Sequence, residues 1–229
     1  MDAHNLSYAY ANGDMLVRLD HDDVLAEGYL EGMKKFIEEN EEYDAYSCAN
    51  AIVRPDGNVD LGHVIKCVEI GSLFNASYQD SAALWYYHHN LFSNSGSIIR
   101  RKFLVDNGLG YKFYEMGDHL FWRSFLAEGG RAAVNCEHLC TRYTGIGNLS
   151  ESPCFDFITP DSYEYNRKNE CRIMSKVESG GKELASKELV DKYGGYDMRM
   201  LSAALDRLAV ECGLGGINQK EKRNYGTTE

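Results

Sequence analysis

The string Leu19-Asp20-His21-Asp22-Asp23 constrains this chain most, because three carboxylates fall within four residues directly after the apolar run Met15-Leu16-Val17. Such an apolar run reads as a buried strand. Carboxylates crowded at its end repel one another unless a cation neutralises them. Short acidic side chains at the end of a strand can converge on a hard divalent ion, Mg²⁺ or Mn²⁺, which prefers oxygen ligands and also binds phosphates. The residues alone leave a second reading open. Asp is a favoured N-cap, and the cluster could be a solvated turn leading into the helix that follows.

Composition narrows the setting. The 229 residues are 44% hydrophobic, enough for one large globular domain or a domain with an appendage. With 24 basic against 35 acidic residues the net charge is −11, which argues against a nucleic-acid backbone or an anionic membrane as the main partner. No apolar segment has the length of a membrane span, and the N-terminus lacks the pattern of a signal peptide, so a cytoplasmic location is expected. The seven cysteines, Cys48, Cys67, Cys136, Cys140, Cys154, Cys171 and Cys212, are odd in number and scattered, as free thiols are. Cys136 and Cys140 around His138 hint at zinc, but no second ligand pair has the required spacing.

Periodicity predicts a strand over residues 16–19, then an amphipathic helix over 26–40 with Leu30, Met33 and Ile37 on one face. A strand is predicted over 44–53, closed by the turn Arg54-Pro55-Asp56-Gly57. A short strand follows at 97–99, helices at 101–107 and 118–128, and a strand at 132–134. Residues 59–90 mix signals, with the aromatic run Trp85-Tyr86-Tyr87-His88-His89. Beyond Ser150 a polar stretch with two prolines precedes helices around 182–192 and 198–212 and a polar tail. The plan is one α/β domain over 1–150 and a mostly helical extension over 151–229.

Around the acidic cluster, Ala11-Asn12-Gly13-Asp14-Met15-Leu16-Val17-Arg18-Leu19-Asp20-His21-Asp22-Asp23 resembles the family 2 glycosyltransferases of the GT-A fold, whose members carry a similar A-x-G-[DE] turn, apolar strand and D-x-D-D. Asn94-Ser95-Gly96-Ser97-Ile98-Ile99-Arg100-Arg101 and Gly117-Asp118-His119-Leu120-Phe121-Trp122-Arg123 look like the acceptor half of those enzymes. Glu137-His138-Leu139-Cys140-Thr141-Arg142-Tyr143 is similar to the segment closing their catalytic domain. The blocks stand in family order over residues 3–150.

The resemblance implies a mixed, Rossmann-like sheet with flanking helices and a sugar transfer from a nucleoside-diphosphate donor to a glycan or other hydroxyl acceptor. Asp20 and Asp22 would hold Mn²⁺ or Mg²⁺ and, with Asn5, the donor. Asp118 would be the base of an inverting reaction, although at a helix start it could equally be an N-cap. Asp23 would orient the loop or cap the next helix. Trp122 fits the core better than a sugar platform, Trp85–His89 fit buried packing better than an acceptor groove, and Arg100 and Arg101 could approach diphosphate, although such pairs more often lie at the surface.

The chain also departs from the family. Members begin with further strands that hold the nucleoside, on the order of 60 residues or about two βαβ-type units, before the position of Ala3. The strand at 16–19 is therefore expected at a sheet edge, covered by a partner chain or a second copy. His4 stands where an arginine is common, and Thr144 lies near the position of a frequent histidine ligand. Two other readings compete: a non-catalytic glycan-binding or scaffold module derived from such an enzyme, and a metal-dependent nucleotidyltransferase or phosphohydrolase. The latter leaves the 117–123 block unexplained.

Overall fold

The computed structural model describes residues 2–74, 77, 78, 82, 92–112, 117–145 and 159–180. Helix α1 (Asp2–Tyr10) leads into strand β1 (Met15–Arg18), in which Leu16 and Arg18 point inward and Val17 outward. After the acidic turn come the two-residue strand β2 (Val24–Leu25) and helix α2 (Tyr29–Glu38), entered through Gly28 in the left-handed region at φ +80°. Tyr29 and Met33, one helical turn apart, are the buried residues of α2, whereas Leu30 is exposed. The inward face is thus rotated from the predicted Leu30–Met33–Ile37 stripe, because the Tyr29 ring fills the space under the sheet.

Strand β3 (Ala45–Val53) is buried along seven consecutive residues, as expected of a strand covered on both faces. The predicted turn, with Gly57 at φ +82°, folds β4 (Val59–Asp60) back onto it. Helix α3 (Gly62–Phe74), strand β5 (Ser97–Arg100), helix α4 (Arg101–Asp106), helix α5 (Gly117–Ala127), strand β6 (Ala132–Tyr143) and helix α6 (Pro160–Ser179) complete the described elements. The expected helices at 182–192 and 198–212 and the aromatic run 85–89 lie outside the described residues.

The sheet is mixed. Its order is β1-β5-β3-β6-β2, with β4 on β3, and β1 ends the row. The β3–β6 pair is parallel, from Ala45 opposite Ala132 to Val53 opposite Tyr143. The β1–β5, β3–β5 and β2–β6 pairs are antiparallel. One apolar layer, with Leu16, Ile99, Phe121, Trp122, Phe125 and Ile173, covers one face, and Tyr29, Met33, Tyr46, Ile98 and Leu139 cover the other. Adjacent Ile98 and Ile99 enter opposite layers, as strand alternation requires.

Three differences from the sequence expectations have physical causes. Strand β6 runs nine residues further than the predicted 132–134, because its register with β3 slips around Ala49 and carries the chain past Asn135, Glu137 and His138. A bulge of this kind breaks the hydrophobic alternation that marks a strand. Helix α6 occupies part of the stretch expected to be polar and irregular. It starts at a Thr159–Ser162 capping box with Pro160 in the first turn. It buries Asn166, Asn169 and Glu170 as well as Ile173 and Val177, so apolar periodicity underestimates it. Helix α3 leaves Ile65 and Val68 exposed, which blurs its pattern in the same way.

Candidate functional site

The acidic turn lies at the end of the edge strand β1, where the chain leaves the sheet. Its backbone closes with Asp23 N donating to Asp20 O at 3.2 Å. The three carboxylates then diverge. Asp23 is buried, accepts the Tyr143 N–H at 3.0 Å and lies 3.7 Å from Arg142 Nε, so it fastens the turn to the end of β6. Burial pushes its carboxyl above the usual range, opposed by hydrogen bonds from Ser95 and Tyr143. The expected loop-orienting role of Asp23 matches this geometry. Asp20 is pinned differently: its N–H donates to Ser95 Oγ at 3.0 Å, and its carboxylate lies 3.3 Å from Arg18 Nη2 and 3.8 Å from His4 Nε2. Asp22 is exposed, with the solvent-exposed His21 ring 3.8 Å away.

Arg18 is buried, and its Nε and Nη1 have no hydrogen-bond partner among the described residues. Its guanidinium carbon sits 4.5 Å from the centroid of the Tyr111 ring, so the aromatic face compensates part of the buried charge. Tyr111 joins the elements around the turn. Its ring stacks on Phe121 of α5 at 4.7 Å and 9°, and lies 5.2 Å from His4 and 6.2 Å from Tyr8 of α1. Its backbone is clamped by Asn5, whose Nδ2 donates to Tyr111 O at 2.7 Å and whose Oδ1 accepts Tyr111 N–H at 2.8 Å. Gly110 makes room for this clamp, since a Cβ there would come within 2.9 Å of Asn5 Oδ1.

Asp118 is half-buried in the first turn of α5, three residues before Phe121. The Phe121–Tyr111–Arg18–Asp20 chain of contacts therefore links the helix of Asp118 to the acidic turn. Asn5 has its amide engaged by the Tyr111 backbone. Burial, followed by the Arg18 charge, lowers the pKa of His4, so its imidazole stays neutral near neutral pH. Trp122 is core, in contact with Phe92, Phe121 and Phe125. Arg100 is committed to the loop before β3, donating to Tyr43 O at 2.7 Å and Glu41 O at 2.6 Å. Tyr111, Arg18 and Ser95 carry no chemical signature of their own in the sequence. The glycines flanking Leu109 are the one local hint of a close backbone approach near Tyr111.

Among the described residues, no three His, Cys, Asp or Glu side chains converge as a metal cage. Cys136 Sγ donates to Cys67 O at 2.9 Å and His138 Nε2 is 3.3 Å from Thr141 Oγ1, which leaves the zinc hint without support. The donor set of the acidic turn suits a different ion. Mg²⁺ and Mn²⁺ are commonly held by one or two carboxylates, the rest of the shell being phosphate oxygens and water.

No protein-family model matches the sequence, and no curated protein matches it. Solved structures do. The crystal structure of Staphylococcus aureus TarS residues 1–349 in complex with UDP-GlcNAc aligns with 95% of this chain at TM-score 0.55 and 17% identity. The structure of TarS 1–349 alone aligns over 95% at TM-score 0.53 and 15% identity. The chain has the fold of TarS, a GT-A fold. It covers 56% and 55% of those two chains, about half of their length. Among the described residues, Tyr111 touches both Arg18, which holds the acidic turn, and Phe121 of α5, the helix that carries Asp118.

Proposed function

We propose that the chain is a family 2 glycosyltransferase domain that moves a sugar from a nucleoside-diphosphate donor to a glycan or other hydroxyl acceptor, with inversion at the anomeric carbon. The observation that carries this reading is the D-x-D-D turn at the end of β1, with Asp22 turned towards solvent while Asp20 and Asp23 are tied down. The likeness to TarS, whose crystal structure contains UDP-GlcNAc, supports it at the level of fold.

In this mechanism Asp22, assisted by Asp20, would hold Mn²⁺ or Mg²⁺. When bound, the ion supplies positive charge for the leaving diphosphate. Arg18 orients the Asp20 carboxylate, and Asp23 keeps the turn in place. Asp118 takes the proton of the acceptor hydroxyl as its oxygen attacks the anomeric carbon. The bond from that carbon to the diphosphate oxygen breaks, and the diphosphate leaves with the electron pair.

Calorimetric titration of the chain with UDP in the presence and absence of Mn²⁺ measures the donor site, and release of UDP from a donor sugar measures turnover. Asp22→Ala and Asp118→Ala are each expected to lower turnover by about 10²- to 10⁴-fold. Only Asp22→Ala should also weaken metal-dependent UDP binding. Turnover unchanged in both variants would sink the assignment. Glycan binding with no UDP release would favour the scaffold reading, which draws on one specific observation: the amide of Asn5 is engaged within the protein.

A further inference from the structure

The Asn94-Ser95-Gly96 turn that precedes β5 is held from several sides. Gly96 N donates to Arg18 O at 2.9 Å, Gly96 O accepts from Tyr29 Oη at 3.1 Å, and Ser95 O accepts from Asn50 Nδ2 at 3.3 Å. Ser97 N and Oγ both donate to Asn94 O, at 3.3 and 2.8 Å. Gly96 adopts φ +77°, and a Cβ on it would lie 2.9 Å from both Cys140 Cβ and Cys48 Sγ, so the backbone here has no room to shift. Ser95 itself is fully buried. Its hydroxyl is therefore a fixed point presented to the acidic turn.

We propose that Ser95 is the positioning residue of the acidic turn: its hydroxyl, accepting the Asp20 N–H at 3.0 Å, sets where the Asp20 and Asp22 carboxylates stand and so tunes their affinity for a divalent cation. A serine hydroxyl has one proton and two lone pairs. With a lone pair given to Asp20 N–H, its proton goes to the Asp23 carboxylate. Asp23 in turn accepts from Tyr143 N. The turn is thus stapled at both ends, by the turn before β5 through Ser95 and by β6 through Tyr143, and Asp22 projects from the bridge between the staples. Groups that orient a metal ligand without touching the ion change metal affinity by about 10- to 100-fold when removed. The functional part of this inference rests on the proposed metal site, whereas the staple itself rests on geometry alone.

Ser95→Ala is compared with Ser97→Ala, which alters a hydroxyl of the same turn that does not reach the acidic residues. Hydrogen exchange reads the staple: the Asp20 and Tyr143 amides should exchange faster in Ser95→Ala than in wild type, while the amides of β3 stay protected and Ser97→Ala leaves the Asp20 amide unchanged. Mn²⁺ titration, followed by the paramagnetic resonance of free Mn²⁺ with UDP present, should show affinity falling by about tenfold or more in Ser95→Ala alone. Addition of Asp23→Asn to Ser95→Ala should cost less than it does in wild type, because the two residues act through one hydrogen bond. Unchanged Asp20 exchange in Ser95→Ala overturns the staple. Faster exchange with unaltered Mn²⁺ affinity overturns its role in cation binding. Failure of the wild-type chain to bind Mn²⁺ with UDP would sink the proposed function instead, and the exchange measurement would still decide the staple.

Discussion

Asp22 and Asp23 are chemically identical neighbours with opposite surroundings, and the difference is measurable. The Asp23 carboxylate is buried against the Tyr143 N–H and the Arg142 guanidinium, whereas the Asp22 carboxylate meets only the exposed His21 ring among the contacts described. Asp23→Ala leaves the part-buried Tyr143 N–H without its acceptor, and the expected loss of unfolding free energy is about 1–3 kcal/mol. Asp22→Ala removes charge from a crowded surface turn, and its expected effect on stability is within about 0.5 kcal/mol of zero. Urea denaturation of the two variants separates a residue that holds the turn from one that the turn presents. Equal losses in both would contradict the division of labour described for the site. The sequence shows the three carboxylates but not this division, because the partners that decide it, Tyr143 and Ser95, lie 120 and 75 residues away along the chain.

At the scale of elements, the legible parts were those whose burial is apolar and regular. Strand β3 could be read because seven successive residues are buried, and β5 because Ile98 and Ile99 serve two cores. Helix α6 was illegible for the converse reason. It meets α5 largely through polar groups: Arg123 Nη1 donates to Asn166 Oδ1, Asn169 Nδ2 donates to Ser124 Oγ at 3.0 Å, and Tyr165 and Ser124 share a 2.7 Å hydroxyl contact. Pattern reading scores such residues as solvent-facing, although Asn166 and Asn169 are each 3% exposed. The start of the helix carries a local signature that can be tested. Thr159 Oγ1 accepts Ser162 N–H at 3.2 Å while Ser162 Oγ accepts Thr159 N–H at 3.0 Å. Thr159→Ala removes one half of this box and should cost about 1 kcal/mol, visible as a lower urea midpoint with an unchanged slope.

At the scale of the molecule, the question is whether residues beyond 150 are an appendage or part of the body that positions the site. Ile173 and Val177 of α6 lie in the same apolar layer as Leu16 of β1, Ile99 of β5 and Phe121 of α5. Leu16 is two residues from Arg18, and Phe121 stacks on Tyr111, so the layer that α6 helps to close also underlies the acidic turn and the helix of Asp118. Ile173→Ala removes buried methyl groups from this layer, and substitutions of that kind cost about 2–5 kcal/mol. If α6 belongs to the same cooperative unit, tryptophan fluorescence, to which the buried Trp122 of α5 contributes, and far-ultraviolet circular dichroism should report one shared transition, displaced together in Ile173→Ala. An independent appendage predicts two transitions, with the one sensed by fluorescence left where it was. A shared displacement would mean that the affinity of the acidic turn for its ion depends on a helix more than 130 residues away in sequence, through the packing of Phe121 against Tyr111.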